Sequence, residues 1–218
     1  MKQPVIKYCG NKSFEDLAVV ANSNAKYIGF IFAPSKRHVD PLQVMEWLKK
    51  IQIKEKQLVG VFVNAQLSDI EAVISLVPLS VIQCHGTESV TYLKKVKEKT
   101  QLEVWKVIHH SENALESMKN YTGVADGYVI DTKVKGVWGG SGVTFDWNYI
   151  PHYQVEAQSQ GVPCLIAGGI LPTNIGRLLD YEIDGFDISS GIERSGTKDV
   201  TLITTIEEWV SKYGECTK

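Results

Sequence analysis

The chain reads as an α/β protein, a single-domain (β/α)8 or TIM barrel over residues 1–218. Three observations predict this. Eight short apolar runs rich in β-branched residues alternate with amphipathic stretches, the order of repeated strand–helix units. Those runs are apolar almost throughout, as strands covered on both faces must be. The loop after the first run, Cys9-Gly10-Asn11, is not a G-x-G-x-x-G turn, which argues against the open dinucleotide-binding sheet. No Gly/Pro/Ser-rich linker or shift in composition divides the chain.

The strands are expected at residues 5–9, 27–32, 58–63, 81–84, 104–108, 127–130, 162–167 and 185–188. Helix starts are marked between them. Ser13-Phe14-Glu15-Asp16 and Ser68-Asp69-Ile70-Glu71 have capping-box spacing, in which a carboxylate reaches back to a free backbone N–H. Pro41 and Pro172 suit first-turn positions, where the missing N–H has no helical partner to lose. Val44, Leu48 and Ile51 share one helical face, as do Leu202, Ile206, Trp209 and Tyr213, and both stripes are read as packing against the sheet.

Composition narrows the class of function. Apolar residues make up 44% and charged residues 22%, with a formal net charge of -2, ordinary for a folded globular protein. Lys94, Lys95, Lys97 and Lys99 are read as a solvated helix face rather than a nucleic-acid footprint. No apolar run has the length of a membrane span, and Met1 to Gly10 lack the pattern of a secretory signal, so no membrane or nucleic-acid partner and a cytoplasmic location are expected. Cys9, Cys84, Cys164 and Cys216 form no C-x-x-C pair, so the reading assigns no metal.

In a barrel of this kind the chemistry sits where strands end. The strand ends here carry Cys9-Gly10, the turn Pro34-Ser35-Lys36-Arg37, Gln83-Cys84-His85-Gly86, Asp131-Thr132, Gly168-Gly169 and Asp187-Ile188-Ser189-Ser190-Gly191. Gly168 and Gly169 permit close backbone approach to a ligand, and Ser190-Gly191 can open a short helix whose N–H groups face an anion. Loops after the seventh and eighth strands are the usual phosphate site of such barrels.

Taken in order, Lys7-Tyr8-Cys9-Gly10, Gly60-Val61-Phe62-Val63-Asn64, Gln83-Cys84-His85-Gly86, Gly139-Gly140-Ser141-Gly142 with Phe145-Asp146-Trp147, Ala167-Gly168-Gly169-Ile170 and Asp187-Ile188-Ser189-Ser190-Gly191-Ile192-Glu193 resemble the phosphoribosylanthranilate isomerases of tryptophan biosynthesis. The resemblance runs from the first strand to Lys198-Asp199. It implies an Amadori rearrangement of N-(5-phosphoribosyl)anthranilate, with Cys9 as general base and Asp131 as general acid. It further implies Arg37 at the anthranilate carboxylate and Gly168, Gly169, Ser190 and Gly191 at the phosphate. Asp187 either contacts substrate or orients the phosphate loop, and His85 is read as a supporting residue. No cofactor is implied, and the partner is a small phosphorylated sugar, bound by a monomer or homodimer.

For that chemistry the Cys9 pKa is expected to fall, under phosphate-loop dipoles and Arg37, and the Asp131 pKa to rise as the glycine-rich segment from Gly136 to Gly142 folds over substrate. Tyr8, Cys84 and Val143 depart from the usual family residues. Two rivals remain. The related histidine-pathway isomerase would carry an aspartate in place of Cys9 and a second phosphate loop. A non-catalytic barrel that binds a phosphorylated ligand would keep the glycine loops without needing Cys9 opposite Asp131.

Overall fold

The computed structural model describes residues 3–132 and 144–216. The expectations for Gly136, Gly139, Gly140, Gly142 and Val143 lie outside the described residues. Among those described, eight parallel strands close a barrel: β1 (Val5–Tyr8), β2 (Tyr27–Ile31), β3 (Gln57–Phe62), β4 (Val81–Cys84), β5 (Glu103–His109), β6 (Gly127–Asp131), β7 (Cys164–Ala167) and β8 (Gly185–Ile188). Each strand pairs with the next, and β1 closes on β8 with Lys7 opposite Asp187. The helices are α1 (Phe14–Ala21), α2 (Pro41–Leu48), α3 (Leu67–Ile74), α4 (Val90–Thr100), α5 (Ala114–Asn120), α6 (Ile150–Gln160), α7 (Ile175–Leu179) and α8 (Val200–Cys216). None is long and apolar enough to cross a membrane.

Side-chain alternation along the strands sorts two cores. Outward residues such as Ile28, Phe30, Ile82, Tyr128 and Phe186 pack under the helices, while Tyr27, Val59, Val81, Trp105, Val107, Val129, Leu165 and Ala167 fill the barrel. This alternation carries Lys7 and Cys9, His85, His109, Asp131 and Asp187 to the inner side. Cys84 and Cys164 are buried in the outer core. Tyr8 also faces outward, its hydroxyl 3.5 Å from a Glu207 carboxylate oxygen, so its bulk lies under α8 rather than beneath the thiol.

Helix starts agree with expectation in part. Ser13 caps α1 by accepting the Asp16 N–H, and Pro41 stands in the first turn of α2 behind the Asp40 cap. α3 begins earlier than Ser68 suggested: its cap is Gln66, whose N–H is received by the Asp69 carboxylate. Pro172 lies in the turn before α7, where the Leu171 carbonyl accepts from Asn174 and Ile175. On α8 Ile206 of the expected stripe is buried and Leu202 and Tyr213 pack partly buried against the core, joined by Ile203 and Val210, while Trp209 is 45% exposed. Its ring edge instead covers Gly176 of α7.

Candidate active site

The turn after β1 is built to hold a thiol. Gly10 takes φ +74, and a Cβ there would collide with the Arg37 side chain and the Ser189 hydroxyl. Asn11 anchors the turn by donating to the carbonyls of Tyr8 and Gly29. Gly29 of β2 leaves the space the sulfur fills, since a Cβ there would stand 2.7 Å from Cys9 Sγ. Cys9 is thereby buried at the barrel's carboxyl end.

Beneath it, Lys7 Nζ donates to Asp187 Oδ2 at 2.7 Å, with the lysine wholly buried. Burial pulls the Lys7 pKa down, but Asp187 and then Cys9 outweigh it and hold it above the ordinary lysine value. For Cys9 the balance goes the other way. Burial raises its pKa more than the Lys7 ammonium lowers it, so the thiol form is favoured. This reverses the expected fall. Arg37, the cation invoked for it, is committed elsewhere: its Nε and Nη2 donate to the two carboxylate oxygens of Glu193 at 2.7 and 2.8 Å. That fork leaves the rest of the guanidinium's donors outside the pair. Lys36 beside it is exposed while Arg37 is buried.

Lys198 completes the support. It stands on the second strand of a hairpin, β9 (Glu193–Arg194) and β10 (Thr197–Lys198). Its ammonium donates to the Cys9 carbonyl at 2.7 Å, the Ser189 carbonyl at 3.1 Å and Glu193 Oε1 at 3.0 Å, so it ties the ends of β1 and β8 together. Burial works against ionisation of Glu193, yet Arg37 and Lys198 hold its carboxyl below the usual range.

At the end of β6, Asp131 is buried and its Oδ1 accepts the Thr132 N–H at 2.7 Å. Its Oδ2 faces His85 Nε2 at 3.5 Å. Gly168, at φ +85, lies against Asp131 and Thr132, and a Cβ there would come within 2.9 Å of Asp131 Oδ1. Gly169, at φ +64, is the second left-handed residue of the loop, which Asn174 fastens by donating to the Gly169 carbonyl and accepting from Leu171 N–H. Gly191 abuts the Ile170 carbonyl, where a Cβ could not fit, so the loops after β7 and β8 meet. Ser190 opens a single 3-10 turn, Ser190–Ile192, rather than a full helix.

Thus the β1–β8 side brings together Cys9, Asp187, Arg37, Ser190 and Gly191, while Asp131 and Gly168 meet on the β6–β7 side. Lys7, Glu193 and Lys198 were missed as working parts. Lys7 carried a legible signal: a lysine two residues before Cys9 inside an apolar strand must share its inner face. The partners of Glu193 and Lys198 are set by the hairpin, which local sequence does not reveal.

A closed parallel barrel with titratable groups and glycine loops at the carboxyl ends of its strands falls among the (β/α)8-barrel enzymes. Comparison with known proteins narrows the class. Residues 6–208 match the family model of N-(5'phosphoribosyl)anthranilate (PRA) isomerase. The N-(5'-phosphoribosyl)anthranilate isomerase of Geobacillus thermodenitrificans is 56% identical over 208 residues, covering 95% of this chain and 94% of the relative. That of Bacillus subtilis is 43% identical over 213 residues, 98% of each chain. Among solved structures, phosphoribosyl anthranilate isomerase from Thermotoga maritima superposes with a TM-score of 0.83 at 30% identity, covering 96% of this chain and 99% of that one. A phosphoribosyl anthranilate isomerase in complex with reduced 1-(o-carboxyphenylamino)-1-deoxyribulose 5-phosphate superposes at 0.80 with 28% identity, covering 96% and 99%. The chain belongs to the PRA isomerase family.

Proposed function

We propose that this chain, an isomerase of tryptophan biosynthesis by its family, converts N-(5-phosphoribosyl)anthranilate into 1-(2-carboxyphenylamino)-1-deoxyribulose 5-phosphate with Cys9 as general base and Asp131 as general acid. The observation that carries the reading is the placement of a buried thiol and a buried carboxyl on the inner side of one barrel end, beside two glycine-bearing loops that touch.

The carboxyl of Asp131 gives its proton to the ribose ring oxygen as the bond from that oxygen to C1 breaks. The nitrogen lone pair moves in to form an iminium at C1. That cation acidifies C2–H, and the Cys9 thiolate takes the proton, so the electron pair forms the C1–C2 double bond of an enolamine. Protonation at C1 with loss of the C2 hydroxyl proton yields the ketone. The redox change is internal to the sugar, so no external oxidant or reductant enters.

The remaining roles follow the same reading. The phosphate sits against Gly168, Gly169, Ser190 and Gly191, whose backbone N–H groups suit an anion. Arg37, preset by Glu193, receives the anthranilate carboxylate. Asp187 holds Lys7 under the thiol, and so acts on the reaction through Cys9. The aspartate-bearing histidine-pathway alternative lacks support, since a cysteine closes the first strand. Freshly prepared phosphoribosylanthranilate mixed with purified protein is expected to lose its fluorescence at a rate proportional to enzyme. A chain that binds product analogue yet leaves the fluorescence unchanged would be the non-catalytic barrel instead.

A further inference from the structure

The carboxyl ends of β4, β5 and β6 bring together more metal-binding chemistry than the isomerisation uses. His85, His109 and Asp131 each offer a ligand atom, and these atoms all lie within 4.8 Å of one another. The three residues come from neighbouring strands, with His109 in register with Asp131 and His85 fixed by its N–H to the Phe62 carbonyl.

We propose that His85, His109 and Asp131 form a binding site for a zinc-type divalent ion, and that the bound ion halts the isomerase by occupying the Asp131 carboxylate. The second half rests on the reading of Asp131 as general acid; the first does not.

The geometry supports the site at each ligand. Tetrahedral zinc with bonds of ~2.0–2.1 Å places its ligand atoms about 3.4 Å apart. His85 Nε2 and Asp131 Oδ2 already stand 3.5 Å apart. The His85 and His109 rings lie with centroids 5.4 Å apart, and the His109 ligand atom, within 4.8 Å of the other two, needs a shift on the order of 1 Å to complete the triangle. The carboxylate is oriented for the task, because the Thr132 N–H engages Oδ1 and leaves Oδ2 turned to the histidines. Two imidazoles and one carboxylate match the donor set of catalytic zinc sites, which leave a fourth position to water. The same set disfavours magnesium and calcium, which prefer oxygen ligands. Gaps of more than twenty residues between the ligands explain why no metal motif shows in the sequence.

The test uses tag-free protein stripped with EDTA and titrated with Co2+. Wild type is expected to bind one ion per chain, giving the visible bands of four-coordinate Co2+ without the near-ultraviolet band of a thiolate ligand. Zn2+ should displace it, and turnover should fall with Zn2+ and recover on adding EDTA. His109→Ala and the bulkier His109→Gln should each weaken Co2+ binding by about 10-fold or more. Both should turn over normally in EDTA and resist Zn2+ at the concentration that inhibits wild type. Absence of Co2+ binding, unchanged affinity in both folded variants, or a thiolate band placing the ion at Cys9 would each overturn the site. One-to-one binding that depends on His109 but leaves turnover intact would uphold the site and remove Asp131 from the reaction.

Discussion

Lys7→Met cuts the link between the barrel's interior charge and the thiol. The Lys7–Asp187 contact is 2.7 Å long, with side-chain exposures of 0% and 9%. At an effective dielectric constant near 20, a pair this close is worth roughly 6 kcal/mol of attraction, most of it offset by desolvation of both ions. Removing only the lysine leaves the Asp187 carboxylate buried without its cation, a change that costs about 3–5 kcal/mol in proteins generally. For a chain of this length that is a fall in melting temperature of roughly 6–20 °C. Because the folded pKa of Lys7 is raised, its pair contributes fully below the unfolded lysine value near ~10.4 and is lost as pH rises through the folded value, so the deficit is present at neutral pH. The kinetic effect has its own sign. Lys7 lowers the Cys9 pKa against burial, so its removal moves the acidic limb of kcat/KM to higher pH. Calorimetry and a pH series of the fluorescence assay read both effects. A melting temperature within about 2 °C of wild type, or an acidic limb that does not move, would refute the coupling of Lys7 to the thiol.

Four further outcomes are expected. Cys9→Ala should lose turnover by ~10²-fold or more while retaining affinity for a product analogue, measured by fluorescence decay and calorimetric titration; Cys9→Ser should be similarly poor, as a hydroxyl is a weaker base. Asp131→Asn keeps the shape but cannot give the proton, so turnover should collapse while analogue binding stays within about tenfold, or ~1.4 kcal/mol; near-normal turnover would place the acid elsewhere. Gly169→Val forces a β-branched residue to φ +64 in the proposed phosphate loop, so KM should rise, and inorganic phosphate should compete with substrate of the wild type. Burial pushes the Cys84 thiol up to about 12. Its contribution to stability is complete below the unfolded value near ~8.5 and is lost as pH rises toward the folded value. Cys84→Ala should therefore flatten the alkaline decline in denaturation midpoint, at a cost of about 1 kcal/mol near neutral pH for the lost volume.

The strands were legible because each had to be apolar on both faces: residues 81–84 and 185–188 were placed to the residue, and the others to within one or two. Helix ends were less so. Ser68 and Gln66 both offer a polar side chain before the same apolar stripe, and packing of Ile70 and Val73 decides between them. The site divides along the same line. Cys9, Asp131, Asp187 and the glycine loops announce themselves as polar or achiral residues at strand ends. The charge pairs do not, because Arg37 meets Glu193 and Lys198 meets the Cys9 carbonyl across separations of more than 150 residues. Without those partners the field at the thiol was misjudged: Arg37 is held in a fork by Glu193, and burial outweighs the cations in setting the Cys9 pKa.

If Cys9 is the base, as proposed, the corrected field bears on when it ionises. The three cations near Cys9 share two carboxylates: Lys7 pairs with Asp187, and Arg37 and Lys198 both pair with Glu193. The carboxylates blunt the cations' pull on the sulfur, and burial outweighs what remains and decides in favour of the thiol. In the free enzyme the thiolate is therefore the minor form at neutral pH, and the acidic limb of kcat/KM, which reports the free enzyme, should lie above the ordinary thiol range. In the proposed reaction, substrate would change this balance. Ring opening places an iminium cation at the carbon next to the one that loses its proton, and that charge stabilises the thiolate most when the proton is about to move. A base that is weakly ionised at rest and favoured by the intermediate's own charge spends its interaction energy in the reacting state, where it raises kcat rather than only tightening binding. The limb measured for kcat should accordingly lie at lower pH than that for kcat/KM; coincident limbs would show that the bound substrate leaves the ionisation of Cys9 unchanged.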